Sequence, residues 1–332
     1  MSLGPHRFEY EVIEGWERLP EGWSFVEVAG VAVDSQDRVY VFNRGAHPVI
    51  VFDKEGKFLN AWGEGVFNNP HGIFIDREDT VYLVDNGDHT IRLFDTQGNL
   101  KLLIGQPGVA ADTGYRLNAQ PVLYGGAPFN RVTNVARGPN GDLYVADGYG
   151  NARVHRFSRD GKLITSWGQP GGRPGEFNLP HAIAVDSANQ VYVADRENSR
   201  VQIFNADGMY IKEWGWLGRP CDLFIDDQDF VHVAELGWTT PARAHLHANT
   251  MEHPPCGHDP VARVTVCDPE GKVAGRFGGP DPILPGNFVA PHGIWADSKG
   301  DLYVGEVVLR SGAIAHFAPF TPRCFQKFKR SG

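Results

Sequence analysis

Three short phrases carry the residues best suited to chemistry. NPHGIFID runs from Asn69 to Asp76, LPHAIAVD from Leu179 to Asp186, and APHGIWAD from Ala290 to Asp297. Each sets one histidine, His71, His181 or His292, at the start of an apolar run that ends in aspartate. Three neutral imidazoles meeting with a fourth position open suit a catalytic Zn2+, and the same set accepts other first-row metals such as iron or copper. A lone histidine at a strand mouth more often caps backbone groups, so the case rests on the repetition.

The repeat shows how they could meet. Along the chain, an apolar strand, a turn and a second strand recur six times. The second-strand cores are VYVFN (Val39 to Asn43), VYLVD (Val81 to Asp85), LYVAD (Leu143 to Asp147), VYVAD (Val191 to Asp195), VHVAE (Val231 to Glu235) and LYVGE (Leu302 to Glu306). Third strands follow, as in IRLFD and VQIFN, and fourth strands as in KFLNAWG and YIKEWG. Four antiparallel strands at a period of about 40 residues predict an all-β chain, a six-bladed β-propeller forming one domain over residues 1–332. Forty glycines and eight tryptophans, with Asp-Gly and Asn-Gly turns between β-branched runs, agree with an all-β fold. Either Glu9 to Leu19 or Arg323 to Lys329 resembles a fourth strand. The N-terminal segment is the better closure, because pairing the two ends hides a sheet edge.

Read in blade order, the residues opening the inner strands are Ala29, His71, Thr133, His181, Cys221 and His292. The histidines fall on alternate blades, about 120° apart around a central channel. Antiparallel second strands return to the same face, so the residues after their ends share the mouth: Arg44, Asn86, Gly148 with Tyr149, Arg196, Leu236 and Val307. Arginine forks onto carboxylates and tyrosine moves protons, so Arg44, Arg196 and Tyr149 could orient an anionic substrate over a Lewis acid. The recurring acids Asp85, Asp147, Asp195, Glu235 and Glu306 read instead as turn-holders that accept backbone hydrogen bonds. Two insertions, near 110–131 and 237–260, are expected on this face. The second contains His245, His247, His253, His258 and Cys256, whose spacings match no standard zinc pattern.

Composition bounds the partners. A formal net charge of −9 argues against a nucleic-acid backbone as partner, and no apolar run is long enough to span a bilayer. Cys221, Cys256, Cys267 and Cys324 follow no CxxC spacing and read as reduced and buried. With no apolar leader at the start, the expectation is a cytoplasmic protein acting on a small molecule that carries a carboxylate.

Through FNRGAH, PHGIFID, ADGYGNARV, LPHAIAVDSANQVYVADRENSRVQIF and PHGIWAD, the chain resembles the NHL-repeat propellers and, more narrowly, is similar to the peptidyl-α-hydroxyglycine α-amidating lyases. That resemblance implies that His71, His181 and His292 bind zinc, that Arg44 and Arg196 are active-site arginines, and that Tyr149 is catalytic. The implied reaction breaks the C–N bond of a carbinolamide, giving an amide and an aldehyde such as glyoxylate. The departures matter too. Gly293 stands where the family has an aspartate that helps bind a structural calcium, so Ca2+ is doubtful. Gly150 and Ile203 replace disulfide cysteines, and Ala290 replaces a methionine beside the site. These differences favour a small-molecule substrate over a peptide hormone. A metal-dependent hydrolase or lactonase on the same propeller, and a non-catalytic NHL interaction scaffold, are the alternatives.

Overall fold

The structure, a computed structural model, describes residues 8–117, 121–237, 261–309 and 323–331. Among them lie six sheets of four antiparallel strands, each running outward from an inner strand. The inner strands are Val28–Val33, Pro70–Ile75, Val132–Arg137, Pro180–Val185, Pro220–Ile225 and Pro291–Ala296. All six second strands begin and end where the repeat places them.

The ring closes through both ends of the chain. In the sixth blade Phe325–Arg330 forms the third strand, and Tyr10–Ile13 pairs outside it in the register Tyr10 with Arg330 and Ile13 with Lys327. The N-terminal segment is therefore the outer strand, as expected, while the C-terminal segment fills the place inside it. Burial follows the same closure. Six apolar clusters each bridge two neighbouring blades: Val81 and Leu83 of the second meet Phe42 and Val49 of the first, and Tyr303 and Phe325 of the sixth meet Val28 and Val41 of the first. A blade buries both faces only against its neighbours, so the second strands read as continuous apolar runs.

Two repeated side-chain devices fix the loops. On one face, an aspartate ending the inner strand caps its own turn: Asp76 Oδ1 accepts the N–H groups of Glu78 and Thr80, and Oδ2 accepts the Tyr82 hydroxyl at 2.9 Å. Asp34, Asp186 and Asp297 take a tyrosine hydroxyl in the same way. On the other face, the residue ending each second strand binds a backbone N–H seventeen positions earlier. Asp85 takes that of Asn68, Asp195 that of Asn178, Glu306 that of Val289, and Asn43 stands in for the acid with Val26. This bears out the turn-holding role of the acids and defines the face where the histidines lie.

Cys221 and Cys267 are buried free thiols, whereas Cys324 is partly exposed, a correction to the expectation that it is buried; Cys256 lies outside the described residues. Among the described residues no helix is long and apolar enough to cross a membrane.

Candidate functional site

Each inner strand carries a register shift at its beginning, and the ladder there skips the residue at the repeated position. The pairing passes from Pro180 to Ala182 across His181, from Pro291 to Gly293 across His292, and from Pro70 to Ile73 across His71 and Gly72. A bulged residue is free of the ladder and its side chain is re-aimed. Here the three imidazoles turn toward one another. Their ring centroids are 4.7 to 4.8 Å apart, and one ligand nitrogen from each lies within 4.8 Å of the others.

The odd blades hold the even ones. His71 Nδ1 lies 2.7 Å from the Thr133 carbonyl, His181 Nδ1 2.6 Å from that of Cys221, and His292 Nδ1 2.7 Å from that of Ala29. A carbonyl only accepts, so each Nδ1 carries the proton and each Nε2 presents a lone pair. The partners are the residues at the same repeat position on the next blade, so all six inner strands build the cluster.

All three rings are buried. Burial holds the pKa of His71 well below its ordinary value, followed by the His292 and Arg44 charges, against the Thr133 carbonyl. For His181 burial again leads, followed by Arg196 and the other two histidines. His71 and His181 are accordingly neutral near pH 7, the form that binds metal. A transition ion with bonds of about 2.1 Å would draw the nitrogens inward by under about 1 Å each. Donor type, tautomer, protonation and spacing all fit such an ion.

Tyr149 reaches this cluster from the loop after the second strand of blade three. Its hydroxyl is 3.3 Å from His71 Nε2 and 3.1 Å from His181 Nε2. Gly148 permits that approach, since a Cβ there would meet the Pro180 carbonyl oxygen at 2.2 Å. Arg196, in a single 3-10 turn at Arg196–Asn198, donates from Nη1 to the same hydroxyl at 3.3 Å, and its guanidinium carbon sits 5.5 Å from the Tyr149 ring centroid. Arg44 donates from Nε to the Pro70 carbonyl at 2.9 Å and from Nη1 to Glu27 at 3.1 Å, which ties it to the peptide preceding His71.

The six residues singled out from sequence thus come together. Asn86, on the same rim, instead stitches blades by donating to the Arg131 and Val132 carbonyls. The histidines of the 237–260 insertion lie outside the described residues.

Three buried residues were not singled out. Glu27 pairs Arg44. Glu197 accepts from Arg196 Nε at 2.8 Å and from Arg219 Nη2 at 2.9 Å, forming a buried Arg-Glu-Arg chain. Reading one more column of the repeat, the residue just before each inner strand, would have exposed two of them: Glu27, Asn69, Arg131, Leu179, Arg219 and Ala290. Gly293 also has a packing reason, because a Cβ there would lie 2.6 Å from Gly30 Cα.

Fold and site together define a six-bladed β-propeller with a cluster of inward imidazoles at its centre. The NHL repeat matches residues 177–204, and NHL repeat-containing protein 3 of Homo sapiens is 34% identical over 253 residues, covering 71% of this chain and 70% of that one. The chain belongs to the NHL-repeat family. It is also similar to peptidyl-glycine alpha-amidating monooxygenase A of Xenopus laevis, 28% identical over 357 residues, which cover 95% of this chain and 35% of that protein's length. Peptidyl-alpha-hydroxyglycine alpha-amidating lyase 1 of Drosophila melanogaster is 43% identical over 88 residues, 24% of this chain and 16% of that one. Among solved structures, a gluconolactonase from Xanthomonas campestris shares the fold at a TM-score of 0.58 and 15% identity, over 92% of this chain and 86% of that one.

Proposed function

We propose that the protein is a metal-dependent lyase that breaks the C–N bond of an N-(α-hydroxyalkyl) amide, giving an amide and an aldehyde such as glyoxylate. The observation that carries this reading is the placement of one phenolic oxygen within 3.3 Å of two inward Nε2 atoms and one guanidinium nitrogen. Similarity to proteins named for peptide amidation supports it.

His71, His181 and His292 would hold the ion, Zn2+ first by ligand type and iron or copper next. When bound, it supplies Lewis acidity to the substrate's carbinol oxygen. Tyr149 is placed to take the carbinol proton and return it to the departing amide nitrogen. The O–H and C–N bonds break, the C=O of the aldehyde and an N–H of the amide form, and no other reactant is consumed. Arg196, donating to the phenolic oxygen, offsets the charge that proton removal leaves there. Arg44 lies across the ring, on blade one against blade four. Held by Glu27 and the Pro70 carbonyl, it takes the substrate's carboxylate.

The test is release of glyoxylate and amide from an N-acyl-α-hydroxyglycine by zinc-loaded protein. Turnover is expected, and Tyr149→Phe is expected to lower kcat by about 100-fold or more. Glyoxylate no faster than in a chelator-treated control would overturn the reading, and turnover of a lactone in that same preparation would put the hydrolase in its place.

A further inference from the structure

Beside the imidazole cluster, a groove open to solvent lies between blades three and four under the 110–131 insertion. Tyr149 and Gly148 form its wall toward the histidines, so groove and cluster share a side chain. Phe177 and Leu179 line it from blade four and Val122 from the insertion. Among the described residues that line it, none is Asp, Glu, Lys, Arg or His. This contrasts with the cluster itself, which Arg44 and Arg196 approach with guanidinium groups, each paired to a buried glutamate.

The polar lining is mostly committed. Asn151 donates to the Gly126 carbonyl and to Asp147, and accepts from Gly126 N. Tyr115 is the exception: its hydroxyl is buried without a hydrogen-bond partner among the described residues. Such a group is satisfied when a ligand or water supplies the missing partner. On the same insertion, Leu117, Leu123 and Tyr124 are about half exposed.

We propose that this groove is the acyl subsite, and that the substrate carries a neutral, apolar acyl group on its amide nitrogen, with an acceptor such as the acyl carbonyl within reach of the Tyr115 hydroxyl. This rests on the lyase reading above. With the carboxylate at Arg44 on blade one and the carbinol carbon at the cluster, the amide end extends toward blades three and four, where the groove begins. An apolar groove with few polar anchors favours acyl groups that shed water readily, and a charged acyl group would lose hydration there with no counter-charge to meet it.

The experiment separates binding from turnover. N-benzoylglycine, which lacks the carbinol hydroxyl, and N-succinylglycine, whose acyl end is charged, are titrated calorimetrically into zinc-loaded protein and into Val122→Ala and Val122→Asp, with thermal melts to confirm folding. Benzoylglycine is expected to bind at least about tenfold more tightly than succinylglycine. Val122→Asp is expected to erase that preference and Val122→Ala to reduce it. Equal binding of the two ligands, or a preference untouched in folded Val122→Asp, would overturn the subsite. The α-hydroxylated compounds are then assayed for glyoxylate. Binding with the expected preference but no glyoxylate leaves the subsite standing and removes the lyase; glyoxylate release indifferent to acyl charge and size does the reverse.

Discussion

At the scale of single residues, the site is a set of side chains whose freedom has been removed by neighbours. Each histidine is oriented by a backbone carbonyl, and each arginine by a glutamate. Glu197 tests this most sharply because it is fully buried and acts on the site through Arg196, whose Nε it holds. Glu197→Gln is expected to keep its metal and lower lyase turnover by about 10- to 100-fold, since misplacing a group by about 1 Å costs that much. Parallel loss of metal and turnover would mean that Glu197 supports only the fold. His71, His181, His292, Arg44, Arg196 and Tyr149 were legible in the sequence because repeated positions can be compared across blades, and a residue type confined to alternate blades stands out. Glu197 was not, because it follows Arg196 in DRENS with no counterpart column to set it apart, and its partner Arg219 comes from another blade.

At the scale of elements, bulges and buried acids do the positioning. The second strands were readable to the residue because apolar runs ending in an acid mark both boundaries. The bulge at the start of each inner strand was not readable, since the ladder's skip depends on pairing that a linear pattern does not contain. Asp85 shows what the acids do: it accepts N–H groups from Asn68, Asn69, Gly87 and Asp88 with no exposure to solvent. Asp85→Ala would leave those donors without it in a dry interior, at about 1 to 3 kcal/mol for each that finds no substitute. A loss of about 3 kcal/mol or more is expected in urea denaturation, and a loss under about 1 kcal/mol would show that the loop finds other partners. The closing strand invites a second test. Deleting residues 1–14 removes Tyr10–Ile13 and bares the edge of Phe325–Arg330, so the truncated protein is expected to aggregate at concentrations where the full chain stays monodisperse in light scattering. Equal behaviour of the two would contradict that role.

At the scale of the whole molecule, the ring is joined across its channel as well as around its rim. Asp222 of blade five accepts from Asn134 Nδ2 of blade three at 2.9 Å and from the Ile294 N–H of blade six at 3.0 Å. Burial pushes its carboxyl up to about 7, against those hydrogen bonds. A raised carboxyl pKa stabilises the fold fully below the unfolded value near 3.9, and that stabilisation is lost as pH rises through about 7. Between pH 5 and 7 the unfolded chain has released this proton and the folded chain keeps it, so stability falls by up to about 1.4 kcal/mol per pH unit from this group. The stability difference between the native protein and Asp222→Asn, measured in urea at pH 5, 6 and 7, is expected to shrink by that slope, and a difference constant with pH would contradict it. The same inward convergence that places Asp222 in the channel brings the imidazoles together above all, and one measurement bears on that directly. Elemental analysis of purified protein, after exposure to Zn2+ and removal of excess, is expected to find one ion per chain, lost in His71→Ala, His181→Ala and His292→Ala alike. Protein that takes up no transition metal, or a His181→Ala variant that retains a full equivalent, would contradict the account.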